Sequence, residues 1–374
     1  MSHAPFGFAT AGAIRFGRGV LVEAAPWALA RARRILVVRS ASVAAAEDLV
    51  RALSEGAEVQ VVTARGEPEL NSLNALCDRA RGFAPEMIVA IGGGAALDTG
   101  KALAALIPAP HGALRYLEVV GEGKPLDRAP LPVLAIPTTA GTGSEVTRNA
   151  VIGIPEAGRK VSLRDPRLYP ALAVVDPELA AGCPKGIALA SGLDAVVQVI
   201  EPFISGRANP MTDALCRDAI PRGLAALRQV VEGRDGWDDM ALTSLMGGLA
   251  LANAGLGAVH GLAGVIGGLT GAAHGAICGA ALVPVLHANH AALPEGSAGR
   301  GRIDWVIDRI AEIYGSLDGL QGWARDHGLP RLPDLGVTDE NRAMIAEEAR
   351  RSSSYAANPV DLGTQGLIGV LEQG

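Results

Sequence analysis

Apolar and polar positions along the first half of the chain fall into alternating blocks. Short apolar runs at 34–38 (Arg-Ile-Leu-Val-Val), 59–63 (Val-Gln-Val-Val-Thr), 87–91, 131–136 and 171–176 read as strands. Between them, 41–53, 73–81 and 96–106 place apolar residues at helical spacing. Buried strands that alternate with helices predict a parallel sheet covered on both faces, and connections of this kind place ligands at the carboxyl ends of the strands. Beyond 171–176 the pattern is helical to the end, with Gly, Pro and Asn at the joints. A domain boundary is therefore expected near 177–181, which gives an α/β domain over 1–178 and an all-helical domain over 179–374. No internal repeat or low-complexity tract appears.

The chain has 374 residues, enough for two cores, and is 49% hydrophobic but only 3% aromatic, so burial rests on Ala, Val, Leu and Ile. A net charge of −6 without a basic cluster argues against a nucleic-acid partner and for small molecules. Cys77, Cys183, Cys216 and Cys278 are far apart with no CxxC pair, and the opening MSHAPFGFATAG has neither a basic segment nor an apolar one. A cytoplasmic protein with reduced thiols is expected. The stretch 241–294 has no Asp, Glu, Lys or Arg, which raises the alternative of a membrane hairpin. Gly247-Gly248, Gly267-Gly268, Pro284 and four histidines interrupt it, so a buried helical core around a polar site is the expected reading.

Two segments of the first half point to a nucleotide. In Ile-Gly-Gly-Gly-Ala-Ala-Leu-Asp-Thr-Gly-Lys (91–101), glycines between a strand and a helix let backbone N–H groups approach a diphosphate at a helix N-terminus, although a tight turn without a ligand fits as well. Asp98 and Lys101 follow, either as ribose and phosphate contacts or as an exposed i, i+3 ion pair. Ile-Pro-Thr-Thr-Ala-Gly-Thr-Gly-Ser-Glu (136–145) is more specific, since a strand end opens into a run of hydroxyl and backbone donors.

With Asp-Pro-Glu-Leu at 176–179, and Ser-Ser-Ser-Tyr-Ala-Ala-Asn-Pro-Val near 360, nearly the whole chain resembles the iron-containing (group III) alcohol dehydrogenase family. That resemblance implies a Rossmann-like NAD(P) domain, a helical C-terminal domain with a divalent metal, and the dehydroquinate synthase-like architecture, with the reaction in the cleft between the domains. It places cofactor contacts on Gly93, Gly94, Ala95, Asp98, Thr138, Thr139, Thr142, Asn149, Lys160 and Leu179. Two positions depart from its pattern: Ala95 stands where serine is usual, and Glu67-Pro68 replaces Asn-Pro. Ser40, at the end of the strand 33–40, stands where NAD-preferring members place an aspartate, so the 2′-phosphate of NADP is not repelled there; as an alternative it caps the next helix.

The resemblance also implies metal ligands at Asp194, Gln198, His260 and His274, loaded with Fe²⁺ or Zn²⁺. Asp194 and Gln198 are i and i+4 on one helical face. The family has histidine where Gln198 stands, and an amide oxygen is a weaker donor than an imidazole. By themselves His260 and His274 also fit histidines hydrogen-bonded in a core. A family histidine that relays the alcohol proton is replaced by Gly264, so no catalytic residue can be named for that step. His287 and His290 read as surface or loop residues, and His3, His111 and His327 belong to no motif. The expected activity is metal-dependent interconversion of an alcohol with an aldehyde or ketone. A metal-free or specialised reductase or lyase of the superfamily, and a nucleotide-binding protein without catalysis, are the alternatives. A homodimer or larger assembly is expected.

Overall fold

A computed structural model describes residues 5–374; His3 and the first residues of the MSHAPFGFATAG run lie outside them. Residues 10–139 and 143–182 form one compact unit, and 183–374 with 140–142 and the described residues up to Ala9 form another.

The first unit runs β1 (Ile14–Phe16), α1 (Ala24–Leu29), β2 (Arg34–Ser40), α2 (Ala45–Ser54), β3 (Glu58–Ala64), α3 (Leu70–Phe83), β4 (Met87–Gly92), α4 (Gly94–Leu106) and β5 (Val133–Pro137). It then continues through β6 (Asn149–Ile154), β7 (Arg159–Arg164), β8 (Leu172–Val175) and the short α5 (Pro177–Ala180). Six strands form one parallel sheet in the order β1-β8-β5-β4-β2-β3. Strand periodicity sorts its side chains: Ile35, Val37, Val89, Ile91, Leu134 and Ile136 join one core, while Leu36, Val38, Ile88, Ala90, Val133 and Ala135 join the other. Burial on both faces explains why β2, β4, β5 and β8 read as apolar runs, whereas the edge strands β1 and β3 are largely half-buried or exposed.

β6 and β7 pair antiparallel in a separate hairpin that the block pattern did not show. Their buried residues, Ala150, Ile152, Ile154, Val161 and Leu163, alternate with half-buried or exposed positions; in β7 these are polar, and in β6 the short apolar run is interrupted by Gly153. The helix expected from 41 begins only at Ala45. Ala44 precedes it without a side-chain cap, so Ser40 does not cap this helix.

The second unit is helical: α6 (Lys185–Ile204), α7 (Pro210–Val231), α8 (Trp237–Ala254), α9 (Ala258–Thr270), α10 (His274–Ala292), α11 (Ala298–Tyr314), α12 (Leu317–Asp326), α13 (Asp339–Arg351) and α14 (Gly363–Gln373). α6 packs against α7, α8 and α10, and α9 packs against α10 and α13. The uncharged stretch becomes α8, α9 and α10, and the path bends by 100° between α8 and α9. Only α6 among the described helices is long and apolar enough to cross a membrane, and 83% of its apolar window is buried within the protein.

Candidate functional site: a nucleotide cradle and a buried cation cluster

In the parallel sheet the strand order reverses between β2 and β4, the place where sheets of this kind take ligands at the strands' carboxyl ends. Ser40 and Gly92 are the last residues of those two strands. Gly92 has φ +153°, and a Cβ there would collide with Ser40 Oγ, so only glycine lets the chain leave β4 this close to β2. Gly93 precedes α4, and Gly94 and Ala95 open it. No side chain caps its first amides and its first turn carries no acid, which suits a diphosphate at the positive end of the helix. Thr138 donates its N–H to Gly92 O at 2.9 Å, and Thr139 lies against Gly93.

Asp98 is engaged on every side. It accepts from Ser144 Oγ at 2.6 Å and from the Val151 N–H at 3.0 Å, and it pairs with Lys101 at 3.2 Å. The i, i+3 ion pair exists, but it is buried and not exposed as the sequence allowed. Lys101 is fully enclosed and donates to Ser144 O and Thr147 Oγ1, so it braces the Thr-Gly-rich loop from within. Burial drives its pKa down, against the pull of Asp98. Glu145 in the same loop has both carboxylate oxygens buried without a hydrogen-bond partner, and burial raises it to about 7. Asn149 opens β6, and Leu179 packs from α5 onto one sheet core. Lys160 on β7 pairs with Glu67 at 2.7 Å, so the residue that departs from the usual Asn-Pro neutralises a residue of the expected cofactor set. Arg39 faces Glu47 at 3.4 Å. Thr142 belongs to the 140–142 segment of the helical unit.

Within the helical unit, α6 carries Asp194, Gln198 and Glu201 at i, i+4 and i+7, all buried. Gly275 sets how close α10 comes, because a Cβ there would strike Ala190 O of α6. This approach brings His274 Nε2 to 3.8 Å from Asp194 Oδ1. His260, near the start of α9, places Nε2 at 3.3 Å from the same oxygen. Its Nδ1 meets Glu201 Oε2 at 2.7 Å, and Glu201 Oε1 accepts the Val259 N–H at 2.7 Å. Asn358, from the Ser-Ser-Ser-Tyr-Ala-Ala-Asn-Pro-Val segment, accepts the Ala258 N–H at 3.1 Å and exchanges amide hydrogen bonds with Asn289. Glu201 and Asn358 thus satisfy the first amides of α9 and fix His260 in place.

Asp194 Oδ1, Gln198 Oε1 and His260 Nε2 are buried without hydrogen-bond partners. Three orphaned acceptor atoms in one buried place are costly unless a cation serves them, and carboxylate with imidazole is a donor set for Fe²⁺ or Zn²⁺. Burial disfavours charge on His260, yet the neighbouring carboxylates of Asp194 and Glu201 raise it to about 9. Burial likewise opposes charge on Asp194, while His260, His274 and Gln198 hold it below the ordinary range. Such a field favours positive charge among these residues.

The sequence reading did not single out two participants. Glu201 lies one turn past Gln198 on the same face, and that i+7 spacing was the available signal. Cys278 follows His274 by four residues, and its Sγ lies 3.6 Å from His274 Nε2. Donor atoms of Asp194, His260, His274 and Cys278 all lie within 4.8 Å of one another. Burial and the charges of Asp194 and Glu201 push the Cys278 thiol well above the usual thiol range. None of the four cysteines forms a disulfide. Gly264, one turn beyond His260 on α9, borders open space. His287 and His290 lie on α10 and face Asp318 and Asp304.

Comparisons with known proteins cover both units. A profile described as iron-containing alcohol dehydrogenase matches residues 11–177, and one described as the C-terminal part of the Fe-containing alcohol dehydrogenase family matches 188–373. Alcohol dehydrogenase 4 of Saccharomyces cerevisiae is 33% identical over 293 residues, 77% of this chain and 75% of the yeast protein. The 4-hydroxybutyrate dehydrogenase of Cupriavidus necator is 34% identical over 359 residues, 91% of this chain and 92% of its own. Among solved structures, sulfoacetaldehyde reductase from Bifidobacterium kashiwanohense in complex with NAD⁺ superposes with a TM-score of 0.85 at 26% identity, over 99% of this chain and 98% of that one. With the Rossmann-like sheet and the helical unit both matched, the chain belongs to the iron-containing alcohol dehydrogenase family.

Proposed function

We propose that this enzyme interconverts a small alcohol with its aldehyde or ketone, using NAD(P) and a divalent cation, Fe²⁺ or Zn²⁺, held by Asp194, His260 and His274 beside Gln198. The observation that carries this reading is the trio of buried, unpartnered acceptors on Asp194, Gln198 and His260 in a chain of this family. A bound cation supplies a Lewis acid for the substrate oxygen, and a bound nicotinamide supplies the hydride acceptor or donor.

The chain's own residues do the positioning. Glu201 accepts the Nδ1 proton of His260, which leaves Nε2 as the donor atom, and Asn358 holds the start of α9. Gly93, Gly94 and Ala95 present the α4 amides to the diphosphate, and Thr138 and Thr139 line the adjoining strand end. Asp98 and Lys101 hold the loop that carries Ser144. Thr142, Asn149, Lys160 and Leu179 complete the cofactor set on the family pattern. No imidazole stands at Gly264, so the alcohol proton reaches solvent by another path, through water or the cofactor ribose.

Relatives named for 4-hydroxybutyrate and sulfoacetaldehyde support small polar carbonyl substrates. Elemental analysis of protein purified without chelator, paired with a cofactor-dependent screen of alcohols and aldehydes, tests the reading. Normal turnover by protein that holds no cation under saturating conditions would overturn the Lewis-acid role. Bound nucleotide with no turnover would favour a non-catalytic binding protein. Because Ser40 offers no carboxylate to repel a 2′-phosphate, NADP(H) should be accepted at least as well as NAD(H). A kcat/KM preference for NAD(H) above about tenfold, ~1.4 kcal/mol, would refute this; Ser40→Asp should move the ratio towards NAD(H).

A further inference from the structure

Cys278 has no part in the roles assigned above, yet it is fully buried and faces the cation cluster. Three of the six separations in that cluster are 3.3 Å from Asp194 Oδ1 to His260 Nε2, 3.8 Å from Asp194 Oδ1 to His274 Nε2, and 3.6 Å from His274 Nε2 to Cys278 Sγ. Donors at the corners of a tetrahedron with metal bonds of roughly 2.0–2.3 Å stand about 3.3–3.7 Å apart. These three edges fall on or beside this range, and all four donor atoms lie within 4.8 Å of one another. Cys278 and His274 are i+4 and i on α10, so one helical face presents sulfur and imidazole together. Gln198, in contrast, lies one turn past Asp194 on the same face of α6, beside its carboxylate.

We propose that Cys278 is the fourth protein donor of the cation site, as a thiolate, and that Gln198 orients Asp194 instead of completing the coordination. This rests on the reading of the cluster as a cation site and specifies its chemistry. On binding, the S–H bond of Cys278 gives way to a metal–sulfur bond and the proton leaves to solvent. A thiolate among two imidazoles and one carboxylate is softer than an all-nitrogen-and-oxygen set, which shifts preference towards Zn²⁺ and Co²⁺ and away from Mg²⁺ and Mn²⁺. It also compensates for the absence of an imidazole at position 198.

The test uses the full-length protein, stripped of metal and reloaded with Co²⁺ or Zn²⁺. Expected results are one cation per chain, a thiolate-to-cobalt charge-transfer band in the near ultraviolet, and a zinc–sulfur shell at about 2.3 Å by X-ray absorption. Cys278→Ser and Cys278→Ala should abolish the band and weaken binding at least tenfold. Cys216→Ser, a buried thiol on α7, should change neither, and Gln198→Ala should keep the band. The absorption measurements on wild type stand even if a Cys278 variant does not fold. A cation bound without sulfur, or a band that survives Cys278→Ser, overturns the proposal while leaving the proposed function intact. Failure of wild type to bind any cation at saturation overturns both.

Discussion

Replacing Glu201 should show how much of the cation site is built by a residue that is not itself a ligand. Its carboxylate is buried and accepts two hydrogen bonds, each 2.7 Å long, from the Val259 N–H and from His260 Nδ1. Glu201→Ala leaves both donors buried and unpaired. At about 1–3 kcal/mol for each orphaned group, the cation-free protein should lose roughly 2–6 kcal/mol. Without Glu201 the imidazole is also free to carry its proton on Nε2, the atom that faces Asp194 at 3.3 Å, and to rotate. Loss of such a supporting partner typically weakens metal binding about 10–100-fold. Glu201→Gln keeps one acceptor but sets an amide NH₂ against the other donor, so it should fall between wild type and alanine on both scales. Chemical denaturation of stripped protein measures the first quantity, and competition with a calibrated chelator measures the second. If Glu201→Ala stays within about 0.5 kcal/mol of wild type and its cation affinity within about twofold, His260 is not positioned in this way.

Glu145 is raised to about 7 by burial, and this has a definite sign. A carboxyl whose folded pKa lies above its unfolded value contributes stability that is fully present below pH ~4.5 and is lost as pH rises through ~7. Glu145→Gln should therefore match wild type near pH ~4 and be more stable by about 3 kcal/mol at pH ~8, as thermal melts across that range would show; a gap independent of pH would contradict it. Asn358→Ala should cost about 2–3 kcal/mol, because the Ala258 N–H and the Asn289 amide lose their partner; an unchanged denaturation midpoint would count against that anchor. Gly264→Ala should stabilise α9 by about 0.5–1 kcal/mol, since a Cβ there meets nothing within 4 Å. Gly264→His adds an imidazole one turn from His260, and a higher kcat would show that proton transfer limits the wild-type enzyme. No change at high wild-type activity would show that another route already carries the proton.

Much of this protein is written in local pattern. The apolar runs of β2, β4, β5 and β8 are legible because a parallel sheet buries both faces, so every position carries the same signal. The glycines before α4 and the hydroxyl run after β5 are legible because diphosphate binding needs backbone donors at fixed offsets from a strand end. The β6–β7 hairpin was not, because β6 is a short apolar run broken by Gly153 and β7 is a half-buried strand whose polar positions leave only a weak alternation. The sequence also could not tell a buried Lys101 from an exposed one, since i, i+3 spacing is the same in both settings; burial depends on the loop of Ser144 and Thr147 that closes over it, some 45 residues away. Asp194, Gln198, His260 and His274 were singled out through family resemblance, whereas Glu201 and Cys278 were visible only as helical spacing without a target. What makes these two participants is the meeting of α6, α9 and α10, which the small Gly275 permits by letting one backbone approach another. Helical periodicity determines which side chains share a face, but the distance between donor atoms on different helices is a property of packing, and only the folded chain decides it.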